Sequence, residues 1–561
     1  MNQYQNQQTM EKCKFIGVVT EIIDSHNFIF RVNSENKCQL QQVVGLNIMD
    51  NTFVLASITN IDVSYFLKDK EEYFTSLSVD NELQDLSSRA RRPKMATKMR
   101  AAYIGIYEYD EIKNKFLESK SSVDIYTPSV FQEVYSFDFD TIQIVYGLMQ
   151  NTENHLKLGT FLYPNYSNND TSPNANISTE TFNSHTLISG VTGSGKSRLT
   201  AIIANKLASD GRHITIIDPH NEYMSLVKAT RVNFFYKKKP LHKGKNGDIN
   251  GDKLWLTYKY LNPQILCKLL PKLTDPQKNY IYEFFEKNES KLNLNLRSFF
   301  NLMIADFDSE LKNKIDDTNS KIKSARDYAE MKRKEKREPD EQETTYFKEY
   351  FSYFSKEILS VKVDRLHVID AVSRKILELF EEKVFQVWPD NKIPSWLDNN
   401  KNNCDCINII NLDYDSNEYY RRFIDTIIQC FFTPQENNEE DKNRILKGKE
   451  KYRTLIVDEA HLLLSEKTDE TLNTSKLLSR LLRESRKFEL SIVFITQNEE
   501  DVPADIKSQF QNRFKFREEK NAELKYLDNQ TCMCSISKGK LSFPMRVDNV
   551  EELKPQLSFH H

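Results

Sequence analysis

Three of this chain's fourteen glycines, Gly190, Gly193 and Gly195, fall within six positions of each other in a sequence of 561 residues. Glycine is otherwise used at about a third of the usual ~7%. The run that gathers them, Gly190-Val191-Thr192-Gly193-Ser194-Gly195-Lys196-Ser197, fits the phosphate-loop pattern G-x-x-x-x-G-K-[ST]. Such a loop turns its backbone N–H groups inward around a phosphate, which needs angles that side-chain-bearing residues rarely reach. It also needs a buried strand before it and a helix after it, whose start adds partial positive charge. Both flanks comply. His185–Ser189 reads as a short apolar strand, and a helix is predicted from Lys196 to Ser209 with Gly211 as its stop. Further strands are predicted at His213–Asp218, Ile407–Leu412, Thr454–Val457, Leu490–Thr496 and Arg513–Phe516. Strand and helix in alternation mean a parallel α/β sheet.

The loop assigns chemistry to its neighbours. Backbone groups of Gly190, Thr192, Gly193, Ser194 and Gly195 would cradle the phosphates, with Lys196 reaching the β- and γ-phosphates and the Ser197 hydroxyl on Mg²⁺. Arg198, on the first helical turn, is a further nucleotide contact. Asp458 follows the apolar strand Thr454–Val457 and supplies the carboxylate that orders the metal. Glu459, next to it, is placed to polarise an attacking water, the arrangement of a hydrolase rather than a kinase. Gln497 closes the strand Leu490–Thr496, where a polar side chain senses the γ-phosphate, orients the attacking water or simply faces solvent. A helix with Leu477, Leu478, Leu481 and Leu482 inward carries Arg480, Arg483, Arg486 and Lys487, either a solvated face or a source of a guanidinium for a neighbouring subunit. The expected ligands are ATP and Mg²⁺. Asn313-Lys314-Ile315-Asp316 and Asp248-Ile249-Asn250-Gly251 imitate guanine-nucleotide motifs, but neither follows an apolar strand, so both are read as accidental.

The rest of the chain bounds the possibilities. Lys and Arg number 78 against 81 Asp and Glu, a net charge of −3, which excludes a generally basic coat for nucleic acid. No apolar stretch approaches membrane-spanning length and the first ten residues lack a signal region, so a soluble cytoplasmic protein is expected. Eight cysteines are read as reduced thiols, Cys532 and Cys534 among them. Strands at Phe15–Ile22, Phe28–Val32, Thr52–Ile61, Ala101–Tyr109 and Thr141–Tyr146 suggest a small N-terminal barrel. Basic residues cluster at Arg89–Lys94, read as a solvated linker or as a subunit or phosphate contact. A second cluster, Lys237, Lys238, Lys239, Lys243 and Lys245, follows the first part of the core and is either a solvated loop or a track for DNA phosphates. In the long insert, Ile369, Val372, Ile376 and Leu379 share one helix face. Asn319–Glu343 is almost wholly polar.

Two motifs beyond the phosphate loop narrow the family. Asp458-Glu459-Ala460-His461 is similar to DEAH-box helicases, but only about 100 residues follow it, too few for the second domain those enzymes need. Asp218-Pro219-His220-Asn221-Glu222-Tyr223 and Arg483-Glu484-Ser485-Arg486-Lys487-Phe488, in this order around the loop and the acidic pair, resemble the HerA branch of the HerA–FtsK ATPases. The resemblance implies a RecA-like P-loop core, an N-terminal β-barrel and a helical insert. It implies a hexameric ring that moves double-stranded DNA beside a nuclease, sirtuin-like or other effector subunit, plausibly in anti-phage defence. Asp218 becomes a second active-site acid and Arg486 the first candidate for an arginine acting in trans, with Arg483 and Lys487 as the neighbouring candidates. Three departures stand: Asn221 for the family's glycine, Gln497-Asn498-Glu499 for Gln-Arg-Pro, and Lys538-Gly539-Lys540 for a glycine-rich turn.

The expected organisation is a barrel over 1–163, a linker over 164–184, core over 185–240 and 406–535, a helical insert over 241–405 and a tail over 536–561. A rival reading keeps nucleotide binding and makes the ring a scaffold that activates an effector without moving DNA.

Overall fold

The computed structural model describes residues 13–65, 95–148, 155–162, 173–223, 231–236, 251–253, 364–381, 406–411, 453–461, 478–484 and 489–548, with short gaps inside several of these spans, and parts of 263–306 and Ile427. The chain divides into two compact units, Met1–Ile203 with Phe510–Lys554, and Ala204–Gln509 with Pro555–His561.

The first unit begins with seven antiparallel strands: β1 (Cys13–Ile22), β2 (Asn27–Val32), β3 (Val43–Met49), β4 (Thr52–Tyr65), β5 (Met95–Asp110), β6 (Lys115–Glu118) and β7 (Glu133–Phe137). Their order is β2-β1-β7-β3-β4-β5-β6, and β2 also pairs β5, with Asn27 opposite Ala102, so six strands close on themselves. Residues two apart supply the core, Phe28, Phe30 and Val32 from β2 and Val54, Ala56 and Ile58 from β4, as the side-chain period of a strand requires.

The strand expected at Thr141–Tyr146 is instead helical: α1 (Phe139–Ile142) runs into a 3₁₀ turn at Gln143–Tyr146. The reason is a cap. Asp138 accepts a hydrogen bond from the Thr141 N–H at 2.8 Å, which starts a helix, and Gly147 at φ 70° closes it. β8 (His155–Phe161) and β9 (Asn174–Ser178) then pair antiparallel. This corrects the linker expected over 164–184, because Ala175 and Ile177 are fully buried although their neighbours are polar. β10 (Thr186–Ser189) leads into the phosphate loop and α2 (Lys196–Ser209), as predicted.

In the second unit the Gly211 N–H donates to Ala208 O and the Arg212 N–H to Leu207 O, with Gly211 at φ 77°; this is the expected helix stop. The elements that follow are β11 (His213–Asp218), β12 (Arg231–Tyr236), β13 (Gly251–Lys253), α3 (Asp275–Asn288), α4 (Asp364–Glu381), β14 (Cys406–Asn411), β15 (Arg453–Val457) and β16 (Leu490–Thr496). The strands form a parallel sheet in the order β13-β12-β14-β11-β15-β16. Every residue of β11, β15 and β16 is buried, the mark of central parallel strands covered on both faces. β13 lies within 241–405, the span expected as a helical insert, and adds a short strand to it. Ile369, Val372 and Ile376 on α4 are buried, as their spacing predicted. Asn319–Glu343 lies outside the described residues.

His213 opens β11 as a buried neutral ring. Its Nε2 lies 3.0 Å from the Asn408 amide nitrogen, so Nε2 accepts and Nδ1 carries the proton. Burial, and then the nearby Arg453 charge, lower its pKa from 6.5 to about 4. A His held neutral by folding makes the unfolded chain bind more protons between those values, so stability falls as pH drops from 6.5 to 4. At 1.36 kcal/mol per unit, the loss approaches about 3 kcal/mol. Urea unfolding of His213→Leu should therefore show a flatter pH dependence than wild type in that window; parallel curves would count against this account.

The chain rejoins the first unit with β17 (Asn512–Lys515), β18 (Thr531–Ser535) and β19 (Phe543–Val547). β17 lies parallel to β10, and β18, β19 and β8 continue antiparallel. β19 corrects the expected tail over 536–561, since Phe543, Met545 and Val547 alternate into the core. It also places β8 in this sheet rather than with the N-terminal strands. Cys532 and Cys534 are buried free thiols with sulfurs 3.5 Å apart. The β18–β19 turn rests on the N-terminal strands and their flanking turns. The Lys540 N–H donates to Val145 O at 2.8 Å, Lys538 pairs with Glu180 at 2.9 Å and Lys540 with Glu118 at 2.6 Å. A Cβ on Gly539 would stand 2.5 Å from Tyr146 O. The turn that departs from the family pattern is thus occupied at all three residues.

Candidate nucleotide-binding and hydrolytic residues

The phosphate loop is built by its glycines and by the segment behind it. Gly190, Gly193 and Gly195 take φ values of 145°, 77° and 116°, conformations that side-chain-bearing residues pay to adopt. A Cβ on Gly190 would lie 2.5 Å from Phe516 Cβ, and one on Gly195 3.1 Å from Gln530 Cα; one on Gly193 would meet nothing within 4 Å. The loop therefore packs at its two ends and is open at Thr192 and Gly193, both exposed. Three backbone bonds hold it. Phe516 N–H donates to Ser189 O at 2.8 Å, Val191 N–H to Arg517 O at 2.9 Å and Gln530 N–H to Ser194 O at 2.8 Å. Behind them the Ser189 hydroxyl donates to the buried Glu518 carboxylate at 2.5 Å.

Lys196 is buried, and its ammonium donates to Gly190 O at 2.7 Å and Val191 O at 3.2 Å. The cation is drawn across the mouth of its own loop. Ser194 Oγ is buried without a hydrogen-bond partner, an unspent donor in a ring of N–H groups. These features fit an anionic phosphate. Ser197 and Arg198 sit half-buried on the first turn of α2.

In the second unit, the carboxyl ends of three neighbouring strands carry the polar residues: Asp218 ends β11, Asp458 follows β15 and Gln497 follows β16. Ligands of open parallel sheets gather at this edge. Asp458 is 5% exposed and accepts from the Glu459 N–H at 2.9 Å. Burial first, then the charges of Glu459, Asp218 and Glu222, push its pKa up to about 8. Acids so crowded favour a nearby cation, and oxygen donors of this type suit Mg²⁺.

Glu459 stands at φ 51°, a left-handed angle for a side-chain-bearing residue. The turn is pinned by Asp458 N–H to Ile217 O at 3.2 Å and Ala460 N–H to Ile495 O at 2.8 Å. Its carboxylate lies 3.1 Å from His461 Nδ1 and 3.9 Å from His220 Nε2. Asp218 is fully buried and accepts from the N–H groups of Glu222 and Tyr223 at 3.1 and 3.0 Å. It folds its own Asp-Pro-His-x-Glu-Tyr turn, and it charges the surroundings of Asp458. Gln497 is exposed.

Arg483 is exposed, with its guanidinium turned back onto Ser479 O at 3.0 Å and Ser479 Oγ at 3.2 Å. Arg486 and Lys487, the lysines 237, 238, 239, 243 and 245, Asn221 and the cluster Arg89–Lys94 lie outside the described residues. Phe516, Glu518 and Gln530 were not anticipated. Only a strand at Arg513–Phe516 was legible, with nothing local to pair Glu518 with a serine 329 positions earlier.

Loop and helix form a phosphate-binding loop of the P-loop kind, and the parallel strands of the second unit carry acids at their carboxyl ends. Residues 156–424, just under half of the chain, match the family described as helicase HerA, central domain. A curated relative, the DNA double-strand break repair helicase HerA of Pyrococcus furiosus, is 23% identical over 218 residues, 38% of this chain and 35% of that protein. The chain thus spans about a third of the length of the curated relative it matches. Among solved structures, VirB4 of Thermoanaerobacter pseudethanolicus aligns at TM-score 0.42 and 13% identity over 72% of this chain and 98% of that one. The plasmid coupling protein TrwB, bound to the ATP analogue ADPNP, aligns at 0.41 and 15% over 72% and 96%. No helix among the described residues is long and apolar enough to cross a membrane.

Proposed function

We propose that this chain is a Mg²⁺-dependent ATPase motor that forms a hexameric ring on double-stranded DNA and drives an effector subunit such as a nuclease. The observation that carries the reading is the HerA central-domain match over residues 156–424, a stretch holding both the phosphate loop and the Asp218–Tyr223 turn. In this reading Lys196 binds the β- and γ-phosphates, and Ser197 with Asp458 holds the metal. Mg²⁺, when bound, neutralises charge on the β- and γ-oxygens. Glu459 orients and deprotonates the attacking water, with His461 and His220 beside its carboxylate. Gln497 senses the γ-phosphate, and Asp218 acts by holding its turn and raising the negative field at Asp458. Arg486 reaches the site of the next subunit. A place in anti-phage defence accords with the divergent turn motifs, and a cytoplasmic location is part of the same reading.

Linear duplex DNA should raise the ATP turnover of the purified chain. An unchanged rate at saturating DNA would favour the second reading, a nucleotide-regulated scaffold. If DNA follows the lysines at 237, 238, 239, 243 and 245, their neutralisation should weaken binding evenly across sequences. It should also flatten the salt dependence by roughly 0.9 log unit per lost phosphate contact; an unaltered slope would put the DNA path elsewhere.

A further inference from the structure

The segment from Phe516 to Gln530 touches the phosphate loop at both ends, and the turn between carries an exposed aromatic ring. At one end Arg517 O accepts from Val191 N–H; at the other, Gln530 N–H donates to Ser194 O. The turn before Gln530 is fixed. Leu524 N–H and Lys525 N–H both donate to Asn521 O, Leu527 N–H donates to Leu524 O, and Thr531 N–H to Asp528 O. Leu524 is 4% exposed and anchors the turn. Tyr526, two residues on, is 83% exposed, more than any other Phe, Tyr or Trp among the described residues. Lys525 Nζ lies 5.9 Å from its ring centroid.

At that exposure the ring buries little area and contributes little to the packing of its own unit. Its position suggests a use. Gln530 Cα lies against Gly195, and four residues of chain reach at most ~14 Å. The Tyr526 Cα therefore lies no more than ~14 Å from the Gln530 Cα that touches Gly195, a reach comparable with that from a nucleotide's phosphates to its base. A π-face held on a rigid turn, with a lysine beside it, can stack a purine and orient it. We propose that Tyr526 is the stacking platform for the base of the nucleotide whose phosphates the Gly190–Ser197 loop holds. The proposal rests on the nucleotide reading above and assigns the base-binding side of that site to the segment after β17.

The two ends of the ligand can be separated. Isothermal titration calorimetry would measure ATP and inorganic tripolyphosphate against wild type, Tyr526→Ala, Tyr526→Phe and Lys196→Ala. Loss of one stacked base should weaken ATP binding by Tyr526→Ala on the order of tenfold or more, while tripolyphosphate affinity stays unchanged and Tyr526→Phe keeps both. Lys196→Ala should lose both ligands. If Tyr526→Ala binds ATP as wild type does while Lys196→Ala loses it, the platform is refuted and the nucleotide reading stands. Equal loss of ATP and tripolyphosphate in Tyr526→Ala would make the residue a structural support and also refute the proposal. So would altered assembly on gel filtration with ATP affinity unchanged, which would assign the ring to a subunit contact. Failure of wild type to bind either ligand would overturn both readings at once.

Discussion

Glu459→Gln should bind ATP as wild type does and hydrolyse it about 10²–10³ times more slowly, the usual loss for one catalytic positioning group. The substitution keeps side-chain length and the φ of 51° but removes the base. Backbone angles of this kind persist where the surroundings over-determine them, and such strain gathers at functional sites. Here the strands on either side pin the turn through Ile217 O and Ile495 O. Lys196→Ala separates binding from chemistry. It withdraws the cation held 2.7 Å from Gly190 O and should abolish binding and turnover together. Stopped turnover with retained binding in Glu459→Gln, beside lost binding in Lys196→Ala, is the expected pair. Near-normal hydrolysis by Glu459→Gln would remove Glu459 from its assigned role.

Mixing two inactive variants, Arg486→Ala and Glu459→Gln, should restore part of the ATPase activity once subunits exchange. The transition state of phosphoryl transfer spreads charge over three equatorial oxygens, and an arginine arriving from outside is worth about 10³–10⁵ in rate where one has been characterised. Arg483, the neighbouring candidate, has its guanidinium committed to Ser479, which leaves Arg486 as the residue to test first. In a head-to-tail ring some mixed interfaces pair an intact Arg486 with an intact Glu459. Demonstrated exchange with no recovery at any ratio would remove either Arg486 or the shared site, and repeating the mixture with Arg483→Ala decides which.

How much of this was legible depended on how local the cause is. The phosphate loop, the helix Lys196–Ser209 with its Gly211 stop, and the strands His213–Asp218 and Leu490–Thr496 are specified by residues within a few positions of each other. Thr141–Tyr146 reads as a strand from its apolar residues, and the Asp138 cap outside that run turned it into helix. β9 was hidden for the opposite reason. Asn176 and Ser178 look like linker residues, yet they are buried against a partner strand that composition does not reveal. At the site, the reactive residues were visible because motifs compress them into short words. The wall behind the loop was not, since Phe516, Glu518 and Gln530 act on residues more than 300 positions away.

The hairpin of β18 and β19 gives the phosphate loop a lever arm. Its near end is bonded to Ser194 through Gln530, and its far end to Val145, Glu118 and Glu180 through Lys540 and Lys538. At ~3.3 Å per step, the nine steps from Gln530 to Gly539 cover no more than ~30 Å, and they run through a strand paired on both edges. Such a strand bends little along its length. A displacement of Ser194 that keeps the Gln530 bond therefore pulls on a strand whose far end is bonded to Val145, Glu118 and Glu180. Strand β6 and the two 3₁₀ turns that hold Val145 and Glu180 are in that sense the gauge on which the loop's movements register.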